Sequence, residues 1–118
     1  MNKINESLII EKKSKFIGLL YEVNDVSEVN DVLSSLKEEH KRARHICYAY
    51  KIGPLAKKSD DKEPSGSAGN PIYSVIERNN LDNTLIVVIR YFGGTLLGVG
   101  PLTRCYSKAS SLLVTNNK

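Results

Sequence analysis

Along this chain the spacing of apolar positions switches between the two-residue repeat of strands and the three-to-four-residue repeat of helices. Ser7 to Val23 is rich in Ile, Leu, Phe, Tyr and Val and is interrupted by Lys12, Lys13 and Lys15. This predicts two strands joined by a tight turn near Lys12–Ser14. Asp25 and Glu28 have capping-box spacing, with Asp in place of Ser or Thr. Val29, Val32, Leu33, Leu36 and His40 follow at helical spacing, so residues 26–40 read as an amphipathic helix with its acids outward. Ile46, Tyr48, Tyr50 and Ile52 alternate with Cys47, Ala49 and Lys51, as in a strand packed on one side.

Pro54 to Gly69 reads as a long polar loop, a length often tied to function in a compact domain. Asn70 as a cap and Pro71 in the first turn predict a short helix over 71–79, with Ile72, Val75 and Ile76 inward. Thr84 to Phe92 is a continuous, largely β-branched run, expected to be a strand covered on both faces. Pro101 then opens a last helix with Leu102, Cys105, Tyr106, Ala109 and Leu113 inward. The order β-β-α-β-α-β-α predicts an α+β fold, a two-layer sandwich of a mainly four-stranded sheet and helices. Residues 1–118 form one domain without repeat or linker, and residues 115–118 are expected to fray.

Composition changes this picture little. With 41% hydrophobic and 25% charged residues in 118, the chain has globular proportions and enough length for a core without staples. Cys47 and Cys105 lack CxxC spacing and read as reduced thiols packed as small hydrophobes, with no metal site. The only apolar run near the start, Leu8–Ile10, is too short for a signal-peptide core, and Leu85–Ile89 is far too short for a membrane span. The expected location is cytoplasmic, with no membrane association.

Charge is more informative. Residues 22–39 carry a net −5, and residues 40–58 carry a net +6 from Lys41, Arg42, Arg44, Lys51, Lys57 and Lys58. A basic stripe of this kind attracts phosphate, although ordinary surface lysines give the same count.

Three segments are candidates for chemistry. In Arg90-Tyr-Phe-Gly-Gly-Thr-Leu-Leu-Gly-Val-Gly-Pro-Leu-Thr-Arg104, a buried strand ends in an arginine, crosses Gly93, Gly94, Gly98 and Gly100, and enters a helix. Glycines allow close approach to the backbone, and a helix N-terminus attracts anions. The pattern is neither a P-loop nor GxGxxG, and a tight strand–helix connection explains the glycines equally well. Arg44-His45 opens the third strand beside the basic stripe. Asp60-Asp61-Lys62-Glu63 reads as a solvated acidic turn, with Mg²⁺ binding through water as the alternative. Ser65 and Ser67 lack a nucleophile-elbow context, which argues against serine hydrolysis.

Taken together, the sequence resembles the YigZ/Impact family, whose common module is the Impact N-terminal domain. The resemblance runs through Lys13-Ser-Lys-Phe16, Ala43-Arg-His45, Asp61, Glu63-Pro-Ser-Gly66, Ala68-Gly69 and Pro71. It continues through Arg90-Tyr-Phe-Gly-Gly94, Leu97-Gly98, Gly100, Leu102, Arg104 and Tyr106-Ser107. It implies a fold similar to the second domain of the fifth small-subunit ribosomal protein, and an association with translation. Eukaryotic members restrain a stress-activated translation kinase by competing for its co-activator; bacterial members are suspected of binding nucleic acid or a ribosome-linked partner. Lys62 departs from a common Gly, Leu96 from Lys, Pro101 from Gly and Cys105 from Ala. The ferredoxin-like second domain of bacterial members is expected to be absent, and the kinase role is not carried over.

The resulting expectation is a non-enzymatic, translation-linked module without cofactor. It would bind RNA or a ribosome-associated partner, with Arg44, His45, Arg90 and Arg104 on phosphate and Gly93, Gly94, Gly98 and Gly100 allowing close approach. Two alternatives stand beside it: a metal-dependent enzyme on a phosphate-containing substrate, with His45 as acid/base and Asp61 and Glu63 on the metal, and a protein-interaction module using the acidic helix.

Overall fold

The computed structural model describes residues 2–115. The elements are β1 (Asn2–Glu11), β2 (Ser14–Glu22), α1 (Val26–Glu39), β3 (His45–Ile52), β4 (Leu55–Ser59), α2 (Gly69–Arg78), β5 (Thr84–Tyr91) and α3 (Val99–Thr115). The chain end expected to fray lies outside the described residues beyond the backbone of Thr115.

The α+β class holds. The sheet has five strands in the order β1-β2-β5-β3-β4, and every neighbouring pair is antiparallel. β5 is central because its middle, Leu85–Ile89, is an unbroken apolar run, and seven of its eight residues are buried. The two hairpins flank it. Alternate residues of each inner strand enter different cores. Phe16, Leu20, Cys47, Ala49, Ile86 and Val88 pack with α2 and α3. Leu19, Tyr21, Tyr50, Ile52, Leu85, Val87 and Ile89 pack with Val29, Val32, Leu33 and Leu36 of α1.

Helices therefore lie on both faces, where the two-layer reading placed them on one. For the same reason β3 is packed on both sides: Cys47 and Ala49 are as deeply buried as Tyr50 and Ile52. The β-branched run of β5 could satisfy burial in no other way.

The fifth strand, β4, lies where a polar loop was expected. Ile52 pairs with Leu55 across Gly53-Pro54, and Gly53 takes the left-handed conformation (φ 57°) that two-residue hairpin turns need. The β1–β2 turn uses Lys12 and Lys13, at φ 48° and 71°. Asp25 caps α1 as expected, accepting from the Glu28 N–H at 2.9 Å, while Glu28 Oε1 accepts from the Asn24 N–H rather than that of Asp25. α2 begins before Pro71, and its cap comes from outside the helix.

Candidate functional site

The antiparallel register brings the segments singled out in the sequence to one end of the sheet. His45 and Phe16 both lie opposite Arg90 on its two neighbouring strands, and the Arg44 N–H donates to the Arg90 carbonyl at 2.8 Å. Gly93 reaches the β1–β2 turn, its N–H donating to Ser14 Oγ at 3.1 Å. The loop after β4 runs beside the start of β3, where Asp61 Oδ2 accepts from the Ile46 N–H at 2.7 Å.

Two acids of this end, Asp60 and Glu63, are turned inward, while Asp61 stays exposed. Glu63 is buried, its side chain only 3% exposed, so it is no part of a solvated turn. Arg90 Nη1 donates to both its carboxylate oxygens, at 3.0 and 2.9 Å, and Tyr106 Oη donates to Oε2. His45 Nε2 lies 3.6 Å from Oε1. Arg90 Nε is buried without a partner, and its guanidinium lies 5.7 Å from the Phe16 ring centre.

Asp60 serves the other side of the same loop. Its carboxylate accepts from the N–H groups of Gly66, Ala68 and Gly69, at 2.9, 3.1 and 2.7 Å, and so caps α2, whose N-cap residue Ala68 has no side-chain oxygen to offer. Burial alone would raise the Asp60 carboxyl, but these three donors outweigh it and hold it below its usual value.

The Cys47 thiol lies 3.5 Å from Tyr106 Oη and 3.2 Å from the Asp60 carbonyl. Burial pushes it up to about 12, against the pull of its bond to Tyr106. Burial likewise raises the Tyr106 phenol. Both cysteines are free and buried, and among the described residues no group of three or more His, Cys, Asp or Glu converges as a metal cluster would.

The bases point the other way: Lys12, Lys13, Lys15, Lys41, Arg42, Arg44, Lys62 and Arg104 are all exposed. Arg44 lies over Phe92, 4.4 Å from the ring centre. Arg90, expected to face outward with Arg104 at the start of α3, is only 5% exposed and is held by Glu63. Arg104 instead lines a groove of about 310 Å³ with Ile9, Ile10, Glu11, Pro101, Cys105 and Lys108.

The four glycines divide. A Cβ on Gly93 would lie 2.1 Å from the Lys13 carbonyl carbon, so the close approach is made by the protein's own turn. Gly94 holds φ 90° in open space, whereas Gly98 and Gly100 leave room for a Cβ. Leu96 and Val99, between them, are 83% and 56% exposed, so the loop is apolar as well as glycine-rich.

Sequence reasoning missed Glu63, Tyr106 and Asp60 as a structural centre. An arginine ending a buried strand and a tyrosine on the inner face of a helix both demand partners, and that demand was the available signal.

Comparison with known proteins places this arrangement. The Impact N-terminal domain model matches residues 12–114. IMPACT family member YvyE of Bacillus subtilis is 40% identical over 114 residues, covering 94% of this chain and 52% of that protein. A crystal structure of a hypothetical protein superposes with TM-score 0.87 at 31% identity, over 97% of this chain and 59% of the other. The two-domain translational regulator Yih1 shares the fold at TM-score 0.55 and 20% identity, over 92% of this chain and 46% of the other. The chain thus spans about half the length of the curated relative it matches. With the family model covering nearly all of it, the chain belongs to the family of the Impact N-terminal domain.

Proposed function

We propose that the chain is a translation-linked regulatory module that binds RNA, as part of a ribosome-associated assembly, through the basic end of its sheet. The translational link rests on the family and on the fold shared with the regulator Yih1. The RNA reading rests on one observation: at this end Asp60 and Glu63 are committed to internal partners, while Lys12, Lys13, Lys41, Arg42, Arg44, Lys62 and Arg104 face outward. Glu63 and Arg90 cancel in charge, and the outward side chains that remain are mostly basic, with Asp61 as an exposed acid among them; such a surface attracts phosphate. Arg44, Arg104 and the turn lysines meet phosphate in this reading, with His45 at the floor. Arg90 acts as the strut that keeps Glu63 turned in. Gly93 and Gly94 shape the loop, and Gly98 and Gly100 leave the start of α3 open.

The test is a fluorescence-anisotropy titration of labelled RNA at several salt concentrations. Affinity is expected to fall steeply with salt. Arg44→Ala combined with Lys12→Ala and Lys13→Ala should flatten the slope by about one unit for each phosphate no longer neutralised. Lys51→Ala, at the opposite end of β3, is the control. Binding insensitive to salt and to the triple variant overturns the reading.

A further inference from the structure

The two edges of the sheet are built differently. β4 is short and carries Lys57 and Lys58 shortly after Pro54, the usual protection against strand addition. β1 runs for ten residues as the other edge, with no strand beyond it among the described residues. On its α1-side face, beyond Lys3 and Glu6, Leu8 and Ile10 are 54% and 59% exposed, and Ile4, in the bulge between Lys3 and Asn5, is 57% exposed. Its other face is fastened to α3: Asn5 Nδ2 donates to the Leu113 carbonyl and Ser7 Oγ to the Ala109 carbonyl. α3 thus runs alongside the edge and presents Arg104 and Lys108, one helical turn apart, over the groove beside Ile9–Glu11. Among the described residues neither base has a carboxylate within ion-pair distance, although Glu11 lines the same groove.

From this charge and apolar pattern we infer that the β1 edge is a docking site for an extended segment of a protein partner, which joins the sheet as a sixth strand. Strand addition supplies backbone hydrogen bonds irrespective of sequence, and the two faces then select side chains alternately. One set of side chains meets Leu8 and Ile10 and must be apolar there, before the face turns polar at Glu6 and Lys3. The other passes Arg104 and Lys108 and must be acidic. The occupant is therefore a segment in which acidic and apolar residues alternate. Lys108, Leu8 and Ile10 have no part in the RNA reading, so the two proposals fail separately.

The experiment titrates the chain into a short fluorescein-labelled peptide of alternating glutamate and valine and follows anisotropy. Saturable binding is expected, at least about tenfold tighter than for a lysine–valine peptide or for one with the same glutamates and valines in two blocks. Lys108→Glu should remove the preference for glutamate over lysine. Leu8→Lys with Ile10→Lys should weaken both alternating peptides while leaving the thermal transition unchanged. Equal binding of the alternating and block peptides, or no saturable binding, overturns the inference. So does a self-dimer in sedimentation that the Leu8→Lys, Ile10→Lys variant returns to monomer, since the edge then serves a second copy.

Discussion

Arg90 and Glu63 meet through one guanidinium nitrogen, Nη1, which sits 3.0 and 2.9 Å from the two carboxylate oxygens where the side chains are 6% and 3% exposed. The pair joins the end of the central strand to the loop that follows β4, 27 residues earlier. It also determines which charges the basic end shows to solvent.

Removing one partner leaves the other charge buried and alone. Glu63→Ala is expected to destabilise the fold by about 3–5 kcal/mol, and Arg90→Ala by a similar amount. Urea unfolding of both variants checks this. A loss near 0.5 kcal/mol, roughly the usual scale for surface changes, would return Glu63 to the status of a solvated residue.

The glycines make a sharper contrast. Gly93→Ala drives a Cβ against the backbone of Lys13 and Ser14, at 2.1 and 2.3 Å, where no side chain can swing aside. Overpacking of this kind costs about 1–3 kcal/mol. Gly98→Ala, whose nearest neighbour would be Pro101 Cδ at 3.6 Å, should stay within about 0.5 kcal/mol. Thermal melts of the two single variants compare them directly.

Asp60 makes stability depend on pH. Its carboxyl is held below the usual value in the folded chain, so the folded state favours the charged form. The contribution is complete above the unfolded pKa of about 3.9 and is lost as pH falls through the lower folded value. Asp60→Asn should therefore destabilise the protein at neutral pH and shrink its further loss of stability below about pH 4. Equal acid sensitivity in the two proteins, measured by urea midpoints across this range, would show that another carboxylate controls it.

Lys62 sits at φ 71°, a left-handed conformation that favours glycine. Lys62→Gly relieves the Cβ crowding at some cost in unfolded-state freedom, for a net gain of about 0.5–1 kcal/mol. Lys62→Ala keeps the Cβ and should gain nothing. Calorimetric melting of both separates relief of strain from removal of charge.

Most elements of the fold are legible in local patterns of residues. Apolar spacing located α1 and the cores of β2, β3, β5 and α3, because each such pattern follows from local geometry and one-sided burial. The resemblance carried by Arg44-His45, Glu63 and the glycine segment identified the family. β4 was legible only in the Gly53-Pro54 turn, since an edge strand of lysines has no apolar repeat to betray it. Which charges face water depends instead on contacts between elements far apart in the chain. Asp60 and Glu63 look like ordinary solvated groups in sequence, and the partners that draw them inward come from β5, α2 and α3. A buried charge is set by contacts remote along the chain, and neither periodicity nor composition records them.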